Sequence, residues 1–288
     1  MKISEFLFNR LLFLLLTSTT LVVSSQRIYG QSWQISSSLY QKFSKSTIYI
    51  ESAYNKTGFL KTSIDTLKGT GFLISDKGKI YLVTARQFLQ STVLGENKGF
   101  LNDTLSFTGS LNPKAKLFRF GGMNSASSNK GSIAFDQDLD GFIVLSLQDK
   151  RFRPLLKRLL ADGCVPLQLA IFDTTTALQK SQQVMLSFFL NYKDSFGFKA
   201  RMHGISPGTT TSIGHSSFFR INSTIQPGSS GSPVFFKEKL LGMILHGDEV
   251  TSNAEALKYP YKQSKSATCI RAKNILTALR MLQEKERV

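Results

Sequence analysis

Ser230 sits in Pro227-Gly228-Ser229-Ser230-Gly231-Ser232-Pro233, a loop of small residues with a glycine on either side of one hydroxyl. A serine hydroxyl becomes a useful nucleophile only when a neighbouring base takes its proton. Glycine at 228 permits backbone dihedrals and a close approach that other residues resist. The amides of Gly228 and Ser230 can then be aimed at one carbonyl oxygen and hold its developing negative charge. The chemistry that suits such a loop is acyl transfer. The chain offers three histidines as bases, His203, His215 and His246. An acidic cluster, Asp136, Asp138 and Asp140, precedes the apolar run Phe142-Ile143-Val144-Leu145.

The serine loop, continued by Val234-Phe235 and the strand-like Leu240-Leu241-Gly242-Met243-Ile244, resembles the nucleophile loop of the trypsin-like serine proteases. It is most similar to exported bacterial, glutamyl-endopeptidase-like members, whose loop reads G-x-S-G-S-P. Upstream, Gly69-Thr70-Gly71-Phe72-Leu73-Ile74 and Tyr81-Leu82-Val83-Thr84-Ala85-Arg86 are similar to the stretch that leads to that family's catalytic histidine. Here Gln87 stands in the histidine's place. An amide side chain donates and accepts hydrogen bonds but has no useful basicity near neutral pH. The resemblance covers most of residues 40–285.

What the resemblance implies is specific. Ser230 takes the nucleophile position, and Asp140, or alternatively Asp138, the acid position. The amides of Gly228 and Ser230 form the oxyanion hole. His246 and Gly247 line the substrate pocket, where a histidine in glutamyl-specific relatives helps read an acidic side chain. The family's order along the chain is His, Asp, Ser, and all three histidines here follow the Asp segment, so none is the ordinary base. Ser229 occupies the place of an aspartate that the digestive members use to capture a newly cut N-terminus, so activation by that ion pair is not expected.

Three functions follow as expectations. The first is a pseudoprotease that binds a peptide or protein in its cleft without efficient cleavage. The second is an active serine endopeptidase with a non-standard base, such as His203, His215 or a lysine, and a preference for acidic residues. The third is a surface protein that binds polyanions through its charge.

The elements that must position these residues are mostly strands. Thr47-Ile48-Tyr49-Ile50 alternates and is rich in branched and aromatic residues. Gly69–Ile74 and Ile80–Val83 read as two strands joined by the turn Asp76-Lys77-Gly78-Lys79. Further strands are expected at Ala115–Phe120, Phe142–Leu147, Leu167–Phe172, Gln183–Leu190, Ser217–Ile221, Val234–Phe236 and Leu240–Leu245. Many short strands with polar turns argue for a sandwich or barrel. Ile275, Leu276, Leu279 and Leu282 recur at helical spacing. With the resemblance, the expected fold is all-β: two packed six-stranded Greek-key β-barrels with a C-terminal α-helix, the first over 31–155 and the second over 156–288.

Residues 1–25 read as a signal peptide, with Lys2 and Arg10 before an apolar run and a second cleavage point as late as Gly30. That run is shorter than the roughly 20 residues a membrane span needs, so no transmembrane anchor is expected after cleavage. The expected location is secreted or periplasmic, in the cell envelope. No cysteine near the signal end permits a lipoprotein anchor. Cys164 and Cys269 are a disulfide candidate in an exported chain, the alternative being two buried thiols; some members of the resembling family bridge the same two regions.

The formal charge is +17, which draws a protein toward acidic surfaces or polyanions. The densest cationic stretch, Lys150 to Arg158, interleaves with Leu155, Leu156, Leu159 and Leu160. A basic amphipathic helix there can meet a membrane surface, but the favoured reading is a linker helix with leucines inward and a solvated basic face. No metal-binding spacing, dinucleotide motif or specific nucleic-acid motif is present, so no cofactor is implied.

Overall fold

The computed structural model describes residues 37–57, 62–86, 92–93, 96–97, 100–112, 115–121, 133–135, 141–174, 178–193, 199–212, 217–226, 228–247 and 264–287. The signal segment, Gln87, Asp138, Asp140, His215 and Pro227 lie outside the described residues.

A helix, α1 (Ser37–Ser46), leads into the first group of strands: β1 (Thr47–Thr57), β2 (Thr62–Asp76), β3 (Lys79–Ala85), β4 (Thr92–Val93), β5 (Glu96–Asn97), β6 (Phe100–Thr108), β7 (Phe118–Gly121), β8 (Ile133–Phe135) and β9 (Phe142–Ser146). A connecting helix, α2 (Arg153–Ala161), and the short β10 (Leu167–Gln168) follow. The second group comprises β11 (Gln183–Lys193), β12 (Lys199–Ser212), β13 (Phe218–Ile225), β14 (Pro233–Phe236), β15 (Lys239–Gly247) and β16 (Ser264–Arg271). The C-terminal helix α3 (Ala272–Lys285) closes the chain.

The second group is a closed six-stranded barrel in the order β11-β12-β13-β16-β15-β14. The first is a barrel-like sheet whose path runs β7-β6-β1-β2-β3-β9-β8. The all-β, two-barrel fold with a C-terminal helix is therefore the architecture of this chain.

Each half has its own apolar interior. In the first, Ile48, Ile50, Leu73, Leu82, Phe107 and Ile143 meet Leu155 and Leu159 of α2. In the second, Val184, Leu186, Phe219, Ile221, Val234 and Ile244 fill the barrel. Alternation explains the split of β11. Val184, Leu186 and Phe188 point into the barrel, while Ser187 and Phe189 turn toward the first half. Between the halves, Phe43 of α1 stacks on Phe235 with ring centroids 3.7 Å apart. The apolar side of α3 (Ile275, Ala278, Leu279, Leu282) is buried, and its last turn reaches the β2–β3 hairpin. There Gln283 donates to Asp76, and Glu286 pairs with Lys79 at 2.6 Å.

The cysteines correct one expectation. Cys164 and Cys269 are both buried thiols, not bridged to one another. Cys164 belongs to the first interior, where its sulfur fills the space beside Gly109, and Cys269 belongs to the second. Two side chains committed to different cores cannot meet at the geometry a disulfide requires. Burial pushes the Cys164 thiol up to about 12, so it stays protonated.

Boundaries differ where turns intervene. The amide of Ala115 bonds back to Asn112, so the strand expected from 115 starts at Phe118. Leu169–Ile171 tightens into a 3-10 turn after two strand residues. Leu155 and Leu159 of α2 are fully buried, but Leu160 is 44% exposed.

Candidate active site

Ser229 fixes the serine loop through both ends of its backbone. Its amide bonds to Gln226 O at 3.0 Å, and its carbonyl accepts from the Ser232 amide at 3.0 Å. Two consecutive turns result, with Gly228 at φ 104 and Gly231 at φ 86, dihedrals that glycine adopts without strain. The Gly231 amide bonds to Ile244 O, and the Ile244 amide to Ser232 O, which pins the loop to β15. With the amides of 229, 231 and 232 consumed, those of Gly228 and Ser230 have no acceptor among the described residues.

The loop also docks on the first half, through Thr70 of β2. The Thr70 amide donates to Ser230 O at 2.8 Å, and the Thr70 hydroxyl donates to Gly228 O at 2.8 Å. The same hydroxyl accepts from the Phe189 amide of β11, and Thr84 Oγ1 donates to Thr70 O. A Cβ at Gly231 would stand 1.8 Å from Thr70 O, so only glycine permits this approach. Thr70 belongs to the upstream Gly69-Thr70-Gly71 motif. A Gly-Thr-Gly triplet signals close backbone approach without saying what approaches.

Residues flanking the other two expected site positions converge on the same junction. β3 and β9 pair with Ala85 opposite Phe142, so the chain leaves β3 toward Gln87 at the end where it enters β9 from Asp140. The Arg86 amide bonds to Gly141 O at 2.8 Å. Gly141 lies against the Leu245 side chain of β15, one residue before His246. His246 itself is exposed at the end of β15, just past a register shift between Ile244 and His246. Beside it, a Cβ at Gly247 would stand 3.1 Å from the side chains of Ile225 and Ser264, a tight fit.

Ser230 is partly exposed, and its hydroxyl has no hydrogen-bond partner among the described residues. His203, one of the proposed substitute bases, is occupied elsewhere. Its Nε2 lies 2.9 Å from Ser187 Oγ, which in turn is 2.7 Å from Thr47 Oγ1. Phe189 and Tyr40 stand edge-on to the imidazole. Burial holds the ring's pKa down at about 4, so it is neutral at ordinary pH. Ser187 is fully buried, so this serine–histidine pair is closed to substrate.

No protein-family model matches the chain. No curated protein shows significant similarity to it.

Proposed function

We propose that the protein is an exported trypsin-like serine-protease homologue, impaired as a peptidase, that binds a peptide or protein segment at the junction of its two barrels. The observation that carries this reading is the state of the serine loop. Two amides, Gly228 and Ser230, have no acceptor among the described residues and are left for a ligand's oxygen, while the adjacent hydroxyl has no hydrogen-bond partner among the described residues. Amides fixed before the ligand arrives cost no reorganisation when they bind it. A hydroxyl that keeps its proton adds a third donor instead of an attacking oxygen. The role of acid position stays with Asp140, or Asp138, and that of histidine position with Gln87. His246 and Gly247 flank the same loop along β15 and take the pocket role, with acidic side chains as the preferred occupants.

The test is peptidase turnover by the purified protein on a mixed peptide library, beside Ser230→Ala, with peptide binding measured in parallel. Binding that persists with turnover equal in both proteins is the expected result. Turnover lost in Ser230→Ala would replace this reading with an active endopeptidase using another base.

A further inference from the structure

We propose that the outward face of α2, together with residues 109–112 and 115–116 beside it, docks on an anionic lipid membrane surface. Arg153, Lys157 and Leu160 recur at helical spacing, and all three are exposed. Residues on either side of 113–114 are bonded to the helix. Thr108 and Gly109 bond to the Asp162 carboxylate at one end, and Arg158 reaches Lys116 O at the other. Leu111 of that segment, Leu160 of α2 and Val165 just beyond it are 41%, 44% and 53% exposed. Three exposed aliphatic side chains on one helix, its exit and the segment bonded to it mark a contact surface more readily than one alone.

Among the described residues, the exposed charges beside them are positive. Lys116, Arg153 and Lys157 are exposed. The nearby acids are taken internally: Asp162 is 8% exposed and paired with Arg158 at 3.0 Å, and Asp149 is bound by Arg151. The patch therefore presents cations with interspersed aliphatic groups and few free carboxylates. Cations draw a protein to an anionic bilayer, and aliphatic groups seat it at the boundary of headgroup and acyl chain. Nucleic acid and acidic glycans would engage the cations equally well. However, a single-stranded nucleic acid is held by aromatic stacking, and the exposed apolar groups here are aliphatic. Those groups favour lipid. The inference is independent of whether Ser230 binds or cleaves.

The experiment is flotation of the full chain with vesicles of phosphatidylcholine alone and with phosphatidylglycerol added, at low and moderate salt, beside heparin binding. Every variant carries the same N-terminal apolar segment, so only differences between variants are read. Binding is expected with phosphatidylglycerol and not without it. Lys157→Gln should weaken it about fivefold, and Leu160→Ser should also weaken it about fivefold, since roughly half a leucine is left to bury. Both positions are exposed, so the thermal midpoint should not move, and a melt checks this. No preference for phosphatidylglycerol vesicles overturns the proposal. Unchanged vesicle binding by Arg153→Gln/Lys157→Gln overturns the location. Loss of heparin and vesicle binding together in the charge variants, with Leu160→Ser silent, replaces the membrane with a general polyanion.

Discussion

Ser187 has a histidine nitrogen 2.9 Å from its hydroxyl and no solvent, whereas Ser230 has solvent and two unclaimed amides but no base among the described residues. Both serines lie near the junction of the two halves, and both connect to Thr70: Ser230 through its carbonyl, and Ser187 through its neighbour on the strand, Phe189. The contrast separates two requirements that a hydrolase must meet together. A base next to a hydroxyl does nothing if substrate cannot reach it, and an oxygen-binding loop does little chemistry if the hydroxyl keeps its proton. In this chain the histidine is built into the interface and the accessible serine is built into the loop.

The largest expected effect comes from placing a base at position 87. Gln87→His should raise peptidase turnover by about 10²–10⁴-fold, the usual contribution of a positioned general base. The gain should vanish in Gln87→His/Ser230→Ala. It should shrink when Asp140→Asn is added, because a triad acid orients the histidine and stabilises its charged form. If turnover does not change in Gln87→His, the defect lies beyond the base. The measurement is initial rate on the library peptide that binds most tightly.

Next is the docking of the serine loop. Gly231→Ala places a methyl group 1.8 Å from Thr70 O at a left-handed φ. The clash is with backbone and cannot be relieved by rotating a side chain. A loss on the order of 4 kcal/mol in denaturant unfolding is expected, together with loss of peptide binding. Gly78→Ala makes a useful control. That glycine is also left-handed at φ 79 but has nothing within 4 Å, so its cost should be about 1 kcal/mol.

Much of this was readable from residue order, and the failures have physical causes. Lys77-Gly78 announced the β2–β3 hairpin because glycine favours positive φ. The equivalent turn between β14 and β15 puts Lys237 at φ 52 with no glycine to signal it. β12 is hidden in the sequence because Gly204, Pro207 and Gly208 interrupt it, residues that argue against a strand interior. Gly208 in fact lets Asn222 O approach a Cβ position to 2.9 Å. The serine loop was legible because its chemistry is local to seven residues. The Thr70 dock and the Ser187–His203 pair were not, since each joins segments far apart in sequence. The two cysteines could be counted but not assigned to cores, because spacing does not say which way a side chain faces.

The buried histidine gives the comparison a pH signature. Burial lowers the His203 pKa from 6.5 to about 4 in the fold. The unfolded chain therefore takes up a proton near pH 6.5, while the folded chain resists until near pH 4. Stability is then complete above about pH 6.5 and falls as pH drops toward 4, by on the order of 3 kcal/mol. Asp149, held low by hydrogen bonds from Arg151, loses its contribution only below the usual carboxylate range, so the two windows are separate. Denaturant unfolding of wild type and His203→Asn from pH 7 to 4 should show the slope in the first and a flatter line in the second. Equal slopes would mean that His203 is protonated in the fold.

The smallest effect tests the contrast most directly, because it applies one substitution to both serines. Ser187→Ala removes the partner of His203 Nε2 and of Thr47 Oγ1 at a fully buried hydroxyl, which should cost about 1–3 kcal/mol. Ser230→Ala removes a partly exposed hydroxyl with no partner among the described residues, and should stay within about 0.5 kcal/mol of wild type. The cost of Ser187→Ala should not itself depend on pH between about 7 and about 4, since burial alone keeps the imidazole neutral with or without its hydrogen bond. A Ser230→Ala that destabilised as much as Ser187→Ala would mean that its hydroxyl is held within the fold. Equal, small costs at both positions would instead make Ser187–His203 a contact without consequence. Only the unequal outcome leaves one serine serving the scaffold and the other free for a ligand.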